Sequence, residues 1–223
     1  MHGKKYVNVK KLVDTKKIYT IEEAVKLAKE TAYAKFDASI DIAIKLNVDT
    51  TKAEQQLRGT IALPHYFGKE IKILVIDDSI TETNAKKAGA SYFGGDEKIA
   101  EIKDGWLDFD VLITSPKFMP KLSKLGKILG PKGLMPNPKL GTVSTKILDT
   151  IKEFKSGKLT YRTDTYGNVH MTIGKKSAKN EDMVENINAL ISFIQSKRPS
   201  TVKGEYVKTI YISASMGPSI RIK

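Results

Sequence analysis

Near its start the chain changes from helical to strand-like spacing of its apolar residues. The helical part lies behind Thr20-Ile-Glu-Glu23, a capping box that satisfies free backbone N–H groups at a helix start, and it predicts a helix over about 21–33. Its apolar positions are Ile21, Ala24, Val25, Ala28 and Ala32. From 40 to 48 apolar and polar residues alternate, as in a strand with one buried and one open face. A shorter strand is predicted near 58–63.

The middle of the chain has short apolar runs separated by helical segments. The runs lie near 71–76, 90–93 and 111–113, and Ser79-Ile-Thr-Glu82 forms a second capping box. This alternation predicts parallel strands with right-handed crossovers, and hence a three-layer, Rossmann-like α/β unit. Further helices are predicted over about 117–129 and 144–155, on either side of a Gly- and Pro-rich stretch.

After Gly157 the strand pattern returns, and a strongly amphipathic helix and a last strand follow. A hairpin is predicted from residues 159–173 with its turn near 165–167, and a three-residue turn puts Arg162 opposite His170 on the polar face. The helix carries its apolar stripe over 183–194. The last strand, about 206–215, leads into Met216-Gly217-Pro218-Ser219.

The two outer segments each supply strands and one amphipathic helix, so neither can bury its apolar faces alone. The fold class is therefore predicted as α/β. A discontinuous α+β domain with an open sheet comprises 1–67 and 159–223, and an α/β domain is inserted at 68–158. The chain crosses twice between the domains, and we expect a hinge at Phe67-Gly68 and Ser156-Gly157.

Composition narrows the classes of protein to which the chain can belong. With 223 residues, 40% apolar and 28% charged, it can bury a core, which excludes disorder as the main state. It has no cysteine, which excludes disulfides, thiol nucleophiles and Cys-ligated metals. No apolar run approaches the ~20 residues of a membrane span, and no signal or transit peptide is recognisable, so we expect a cytoplasmic protein without membrane contact.

The charge distribution points to a partner rich in phosphate. The chain carries 38 basic and 25 acidic residues, a net charge of +13. The excess lies in the outer segments and in 111–158, where 10 basic residues face 2 acidic ones, whereas 68–110 has 10 acidic residues against 6 basic ones. Such a distribution is typical of nucleic-acid binding.

Few residues are placed for catalysis, and one acidic pair supports an alternative function. Asp77 and Asp78 follow a predicted parallel strand, where a magnesium-dependent phosphotransfer or receiver-like protein places its carboxylates. Against this alternative, an Asp before Ser79 is the ordinary start of a helix, and no second acidic pair follows the next strand, so the structural interpretation is favoured. No Ser-His-Asp spacing, P-loop or G-x-G-x-x-G is present, so we expect no catalytic residue, no metal and no cofactor.

The polar face of the predicted open sheet offers a binding surface instead. Hydrogen-bonding groups, positive charge and one ring for stacking come from Lys35, Phe36, Ser39, Asp41, Lys45, Arg162 and His170. From this pattern alone, a solvated face without a ligand remains the alternative.

Several motifs resemble one known family over the whole chain. Residues 124–143 read KLGKILGPKGLMPNPKLGTV. They are accompanied by Lys35-Phe36-Asp37, Arg58-Gly-Thr60, Leu63-Pro-His65 and Ser215-Met-Gly-Pro-Ser219. Together these resemble the bacterial family of large-subunit ribosomal protein one, the protein of the lateral rRNA stalk.

This resemblance implies two α/β domains, of which the first grips large-subunit rRNA of the stalk. It also implies help in releasing deacylated tRNA from the exit site, and repression of the chain's own operon mRNA through an RNA mimic of the rRNA site. The free protein is expected to be a monomer. The resemblance adds to the RNA-binding set Ser215, Met216, Gly217, Pro218 and Ser219. Family members often carry Thr at the positions of Ser39 and Ser215 and Glu at that of Asp41, so the hydroxyls and the carboxylate are kept.

Overall fold

The computed structural model describes residues 3–52, 54–68, 71–78 and 80–223 and divides into two compact units. The outer unit comprises Met1–Phe67 and Tyr161–Lys223, and the inner unit is Gly68–Thr160. The first boundary coincides with the one expected from the sequence, and the second lies two residues beyond it.

The outer unit contains a four-stranded sheet and the helices that cover it. Its elements are α1 (Lys4–Lys10), α2 (Ile21–Glu30), β1 (Ser39–Leu46), β2 (Arg58–Ala62), β7 (Asn168–Lys175), α8 (Asn180–Ser196), β8 (Val207–Ala214) and β9 (Ser219–Arg221). The strand order is β7-β1-β8-β9, and each neighbouring pair is antiparallel. The helices α2 and α8 pack on the face that carries the buried β1 residues Ile40, Ile42, Ile44 and Leu46.

The capping box predicted for α2 is present and explains where the helix begins. Thr20 Oγ accepts from the Glu23 N–H, and the Glu23 carboxylate accepts from the Thr20 N–H, both at 3.3 Å. The helix ends at Glu30, earlier than predicted, and Thr31 Oγ donates back to the Leu27 carbonyl at 2.8 Å. Ala24, Val25 and Ala28 of its apolar stripe are buried.

The hairpin predicted over 159–173 is wrong in its pairing. β6 (Lys158–Arg162) forms a two-stranded sheet with β2, whereas β7 pairs with β1. Near the turn the two arms still meet at the isolated bridge Thr163–Val169 and through the Asp164 N–H, which donates to the Asn168 carbonyl at 2.9 Å. Apolar periodicity showed which face of each strand is buried, but it could not show which strand lies alongside.

The inner unit confirms the predicted α/β class. Its elements are β3 (Ile73–Ile76), α3 (Glu82–Ala88), β4 (Tyr92–Gly94), α4 (Asp96–Lys103), β5 (Val111–Thr114), α5 (Met119–Ser123), α6 (Gly126–Leu129) and α7 (Ile147–Lys155). The strands are parallel in the order β4-β3-β5. One apolar layer packs Ile102, Leu122 and Leu129 against the sheet, and a second packs Ala85, Ile151 and Phe154 on the opposite side.

Some inner-unit boundaries differ from the sequence expectation. The helix predicted over 117–129 is interrupted into a 3-10 turn, Pro116–Phe118, followed by α5 and α6. α7 begins at Ile147 and not near 144. α3 begins at Glu82 with Thr81 as its N-cap, while Ser79 of the predicted capping box lies outside the described residues. In the chain as described, no helix has the length and apolar character needed to cross a bilayer.

Candidate nucleic-acid interface

The face of the four-stranded sheet that points away from α2 and α8 carries a polar array. Ser39, Asp41, Ala43 and Lys45 alternate with the buried residues of β1, and all four are half-buried. The strand register aligns them with residues of β7, β8 and β9. We call this surface the open face, and its two complete rows are Thr172-Asp41-Ser213-Ser219 and His170-Ala43-Tyr211-Arg221.

A tight turn after β8 closes one end of the open face. Ser215 donates to the Ser39 carbonyl from its N–H at 2.9 Å and from its hydroxyl at 3.3 Å. The Gly217 N–H donates to the Ala214 carbonyl at 2.8 Å. A Cβ at Gly217 would lie 3.2 Å from that same carbonyl oxygen, so the turn favours glycine there.

Met216 occupies an unusual backbone position in this turn. Its φ is +66°, in the left-handed region that non-glycine residues seldom adopt. Its side chain is 69% exposed, although it is large and apolar. Strain of this kind tends to occur at functional sites, and here it holds an apolar side chain out in solvent. The neighbouring Pro218 is buried and Ser219 is exposed at the start of β9.

Phe36 lies at the same end of the sheet, in the bend that leads into β1. It is 56% exposed, and Lys35 beside it is also exposed. The bend is fixed by Asp37, whose carboxylate accepts from the Ser177 hydroxyl at 2.8 Å and from the Ser177 N–H at 3.0 Å. These hydrogen bonds lower the pKa of Asp37, and the bond from the Ser177 hydroxyl has the larger effect. Ser39 follows Phe36 by three residues and binds Ser215, the neighbour of Met216. Phe36 and Met216 therefore lie at the same end of the open face, and we call this end the edge of the open face.

The middle of the open face is polar and internally hydrogen-bonded. Thr172 donates its hydroxyl to the Asp41 carboxylate at 2.6 Å. In the next row, Nε2 of His170 lies 3.6 Å from the Asp164 carboxylate, and the His170 side chain remains 63% exposed. Lys45 donates its ammonium to the Tyr166 carbonyl at the opposite end of the sheet. These contacts orient the side chains while leaving hydroxyl and imidazole groups accessible to a ligand.

Arg162 is not part of this array, in contrast to the sequence prediction. It lies on β6 in the two-stranded sheet, and the Thr163 N–H donates to the Leu57 carbonyl at 2.9 Å. This bond places Arg162 next to Arg58, and burial together with the Arg162 charge lowers the pKa of Arg58. Arg162 and His170 therefore do not form the predicted pair on one polar face.

Four residues of the two rows that carry hydrogen-bonding side chains are missing from the predicted RNA-binding set: Thr172, Tyr211, Ser213 and Arg221. For Tyr211 and Ser213 a signal existed, because they alternate with the buried Ile210 and Ile212 in β8. Arg221 had none, since β9 is only three residues long. The Arg221 Nε is buried and has no hydrogen-bond partner among the described residues.

Of the expected hinge residues, Ser156 and Gly157 follow the last turn of α7, whereas Phe67 and Gly68 lie outside helices and strands. Ser156 caps the C-terminus of α7, and Gly157 follows it with φ +98°. Phe67 is half-buried and Gly68 exposed, at the point where the outer unit ends. The hinge itself remains a prediction.

The acidic pair of the alternative function sits at the carboxyl end of β3. Asp77 is 3% exposed and its N–H donates to the Gly94 carbonyl at 3.3 Å, whereas Asp78 is exposed. Among the described residues, no group of three or more His, Cys, Asp or Glu side chains is arranged to hold a metal ion.

Sequence comparison supplies the family. The family model described as "Ribosomal protein L1p/L10e family" matches residues 28–218, which include the 124–143 motif, Phe36 and Met216. The chain belongs to this family. It is similar to the large ribosomal subunit protein uL1 of Mycoplasmoides gallisepticum, with 59% identity over 94% of the chain and 92% of the relative.

Two further relatives extend this similarity over nearly the full length. The uL1 protein of Mycoplasma genitalium is 56% identical over 99% of the chain and 97% of its own length. That of Lactobacillus acidophilus is 46% identical over 99% and 96%, respectively. The family inferred from the motifs is thus confirmed.

Proposed function

We propose that this chain is a non-enzymatic constituent of the large ribosomal subunit that binds stalk rRNA through the open face of its outer unit. Family membership supports the ribosomal role. The observation that carries the RNA-binding site is the edge where Ser215 binds Ser39, since it unites exposed Phe36 and exposed Met216 with a row of hydroxyls and a carboxylate.

The chemistry of this edge suits RNA better than DNA or a small molecule. An RNA helix displays 2′-hydroxyls and ribose edges in a wide, shallow minor groove, which a protein reads by shape and by hydrogen bonds. The hydroxyls of Ser39 and Ser215 and the carboxylate of Asp41 can exchange hydrogen bonds with 2′-hydroxyls. Phe36 and Met216 would cover the ribose or base surfaces around them and exclude water, which strengthens the enclosed hydrogen bonds.

Positive charge would supply attraction at longer range. Lys35 and Lys45 lie beyond the two polar rows, and each phosphate that such groups neutralise increases the salt exponent of binding, the steepness with which log K falls against log salt, by about 0.7–0.9. The edge around Met216 would therefore recognise the shape of the RNA, and the surrounding lysines would supply the part of the affinity that depends on salt.

Two further roles belong to the proposal and rest on the family expectation. As part of the stalk, the chain would assist the release of deacylated tRNA from the exit site, with movement at Phe67-Gly68 and Ser156-Gly157. It would also repress translation of its own operon mRNA through an RNA structure that mimics the rRNA site. Because one open face would bind both RNAs, rRNA and mRNA should compete, and excess stalk rRNA should relieve repression in a cell-free translation assay.

The RNA site is tested by Met216→Asp, which places a carboxylate where an apolar contact with RNA is proposed. We expect binding to a stalk rRNA transcript to be lost while circular dichroism and thermal unfolding stay unchanged, because the side chain is 69% exposed. Tyr166→Asp is the matched control, since Tyr166 is 76% exposed at the other end of the sheet. An affinity of Met216→Asp within about threefold of wild type, below 1 kcal/mol, would remove the site assignment.

A further inference from the structure

We infer that residues 3–18, which we call the basic arm, form a second contact with the RNA phosphate backbone beside the open face. This inference rests on the proposed function and names a surface that the open-face site does not include. The arm holds six lysines in three pairs, at 4–5, 10–11 and 16–17, against the single acid Asp14.

The arm is folded but buries little of itself. Its helix α1 has no buried residue, and Val7, Leu12 and Ile18 are exposed by 44%, 59% and 57%. A seven-residue helix gains little stability from its own hydrogen bonds, so an exposed one needs contacts elsewhere to persist. The arm thus offers both charge and apolar surface to a partner.

The attachment point of the arm links it to the proposed RNA site. The Tyr19 N–H donates to the Arg221 carbonyl of β9 at 2.9 Å. The Asp14 N–H donates to the Tyr19 hydroxyl at 3.0 Å, and the Lys16 N–H donates to the Asp14 carboxylate at 2.9 Å. The arm therefore leaves the sheet at its β9 edge, on the strand that contributes Ser219 and Arg221 to the open face.

The charge of the arm is largely uncompensated. Among the residues that the structure describes, Lys17 is the one arm lysine within 4 Å of a carboxylate, that of Glu23 at 3.8 Å. The Lys17 ammonium also lies 4.7 Å from the centre of the Tyr19 ring. Lysines that lack acidic neighbours attract polyanions. Because the arm is attached to a strand of the open face, we expect it to contact the same RNA that this face binds.

The test compares two variants of equal net charge. The arm variant carries glutamine at Lys4, Lys5, Lys10 and Lys11. The control variant carries glutamine at four exposed lysines outside the arm, namely Lys87, Lys103, Lys152 and Lys179. Binding of a stalk rRNA transcript is measured at several salt concentrations for wild type and both variants, and a variant with arginine at the four arm positions tests for rescue.

We expect the arm variant to bind more weakly and with a smaller salt exponent. If two of its four lysines neutralise phosphates, the exponent falls by about 1.4–1.8, and if all four do so it falls by about 2.8–3.6. The control variant should keep the wild-type exponent, and the arginine variant should restore it. Thermal unfolding should be unchanged, and if it is not, the Lys10→Gln/Lys11→Gln double variant provides the same comparison.

The outcomes separate this inference from the proposed function. If wild type binds and Met216→Asp abolishes binding, but the arm variant keeps the exponent of the control, the basic arm makes no phosphate contact and the inference is wrong. If wild type itself fails to bind the transcript, the proposed function fails and the inference fails with it. A weaker arm variant with an unchanged exponent would also overturn the inference, since the loss would not come from phosphate neutralisation.

Discussion

Replacing Met216 by glycine should stabilise the fold and weaken RNA binding at the same time. At φ +66° the backbone of an L-residue is strained by about 1–2 kcal/mol, and glycine has no such strain. Glycine loses more backbone entropy on folding, which costs about 0.5–1 kcal/mol. Because 69% of the Met216 side chain is exposed, little buried surface is lost, and the free energy of unfolding should rise by about 0.5–1 kcal/mol.

The expected loss of affinity follows from the same exposure. Full burial of a methionine side chain contributes about 1.5–3 kcal/mol. With 69% of it available for burial against RNA, truncation should cost about 1–2 kcal/mol. That corresponds to an increase in Kd of about 5–30-fold. Met216→Ala is the matched control, since it removes the same contact but keeps a Cβ at the strained position.

Fluorescence anisotropy with a labelled stalk rRNA transcript measures the affinity, and urea denaturation measures the free energy of unfolding. Both variants should bind more weakly, and only the glycine variant should be more stable than wild type. If both retain the wild-type affinity, Met216 does not contact the RNA. If Met216→Gly is less stable than Met216→Ala, the strain argument is wrong.

Further predictions concern domain independence, stability and the acidic pair. Deleting 68–158 across a short Gly linker should leave the affinity for stalk rRNA largely intact, and loss of binding by a folded deletion variant would contradict placement of the site in the outer unit. Thr20→Ala should lower the free energy of unfolding by about 1 kcal/mol in urea denaturation, because it removes a helix cap; an unchanged value would show that the cap is unimportant. Burial raises the pKa of Tyr206 to about 12, so the folded chain keeps a proton that the unfolded chain loses above about pH 10. The free energy of unfolding should therefore be constant with respect to this group below pH 10 and decrease between about pH 10 and pH 12. Tyr206→Phe should reduce this decrease. Magnesium titration followed by NMR should leave Asp77 and Asp78 unperturbed, and saturable shifts there would favour the phosphotransfer alternative.

Elements with a strong local signal could be predicted from the sequence. The capping box at Thr20 and Glu23 and the alternation through β1 depend on residues close in the chain, and both appear in the structure. β9 is too short for a periodic signal, and the arm helix α1 has no buried stripe, so neither was predicted.

Strand partners and the composition of the candidate site could be predicted only in part. The alternation of apolar and polar residues predicted which face of β6 and β7 is buried. Which strands pair depends on tertiary packing, and in the structure β6 pairs with β2. The edge of the open face requires Ser215 to bind Ser39, which is 176 residues away in sequence, and no local pattern encodes such a contact. The residue pattern supplied Phe36 as a candidate and the family motifs supplied Met216, whereas Arg221 emerged only from the strand register.

Mapping of RNA–protein cross-links would show which face of the four-stranded sheet binds RNA. The complex of the full chain with a stalk rRNA transcript would be irradiated with ultraviolet light, and the cross-linked peptides would be identified by mass spectrometry. We expect cross-links in the peptides that contain Phe36, β7, β8 and residues 215–219. Cross-links confined to α2 and α8, on the opposite face of the sheet, would contradict this expectation.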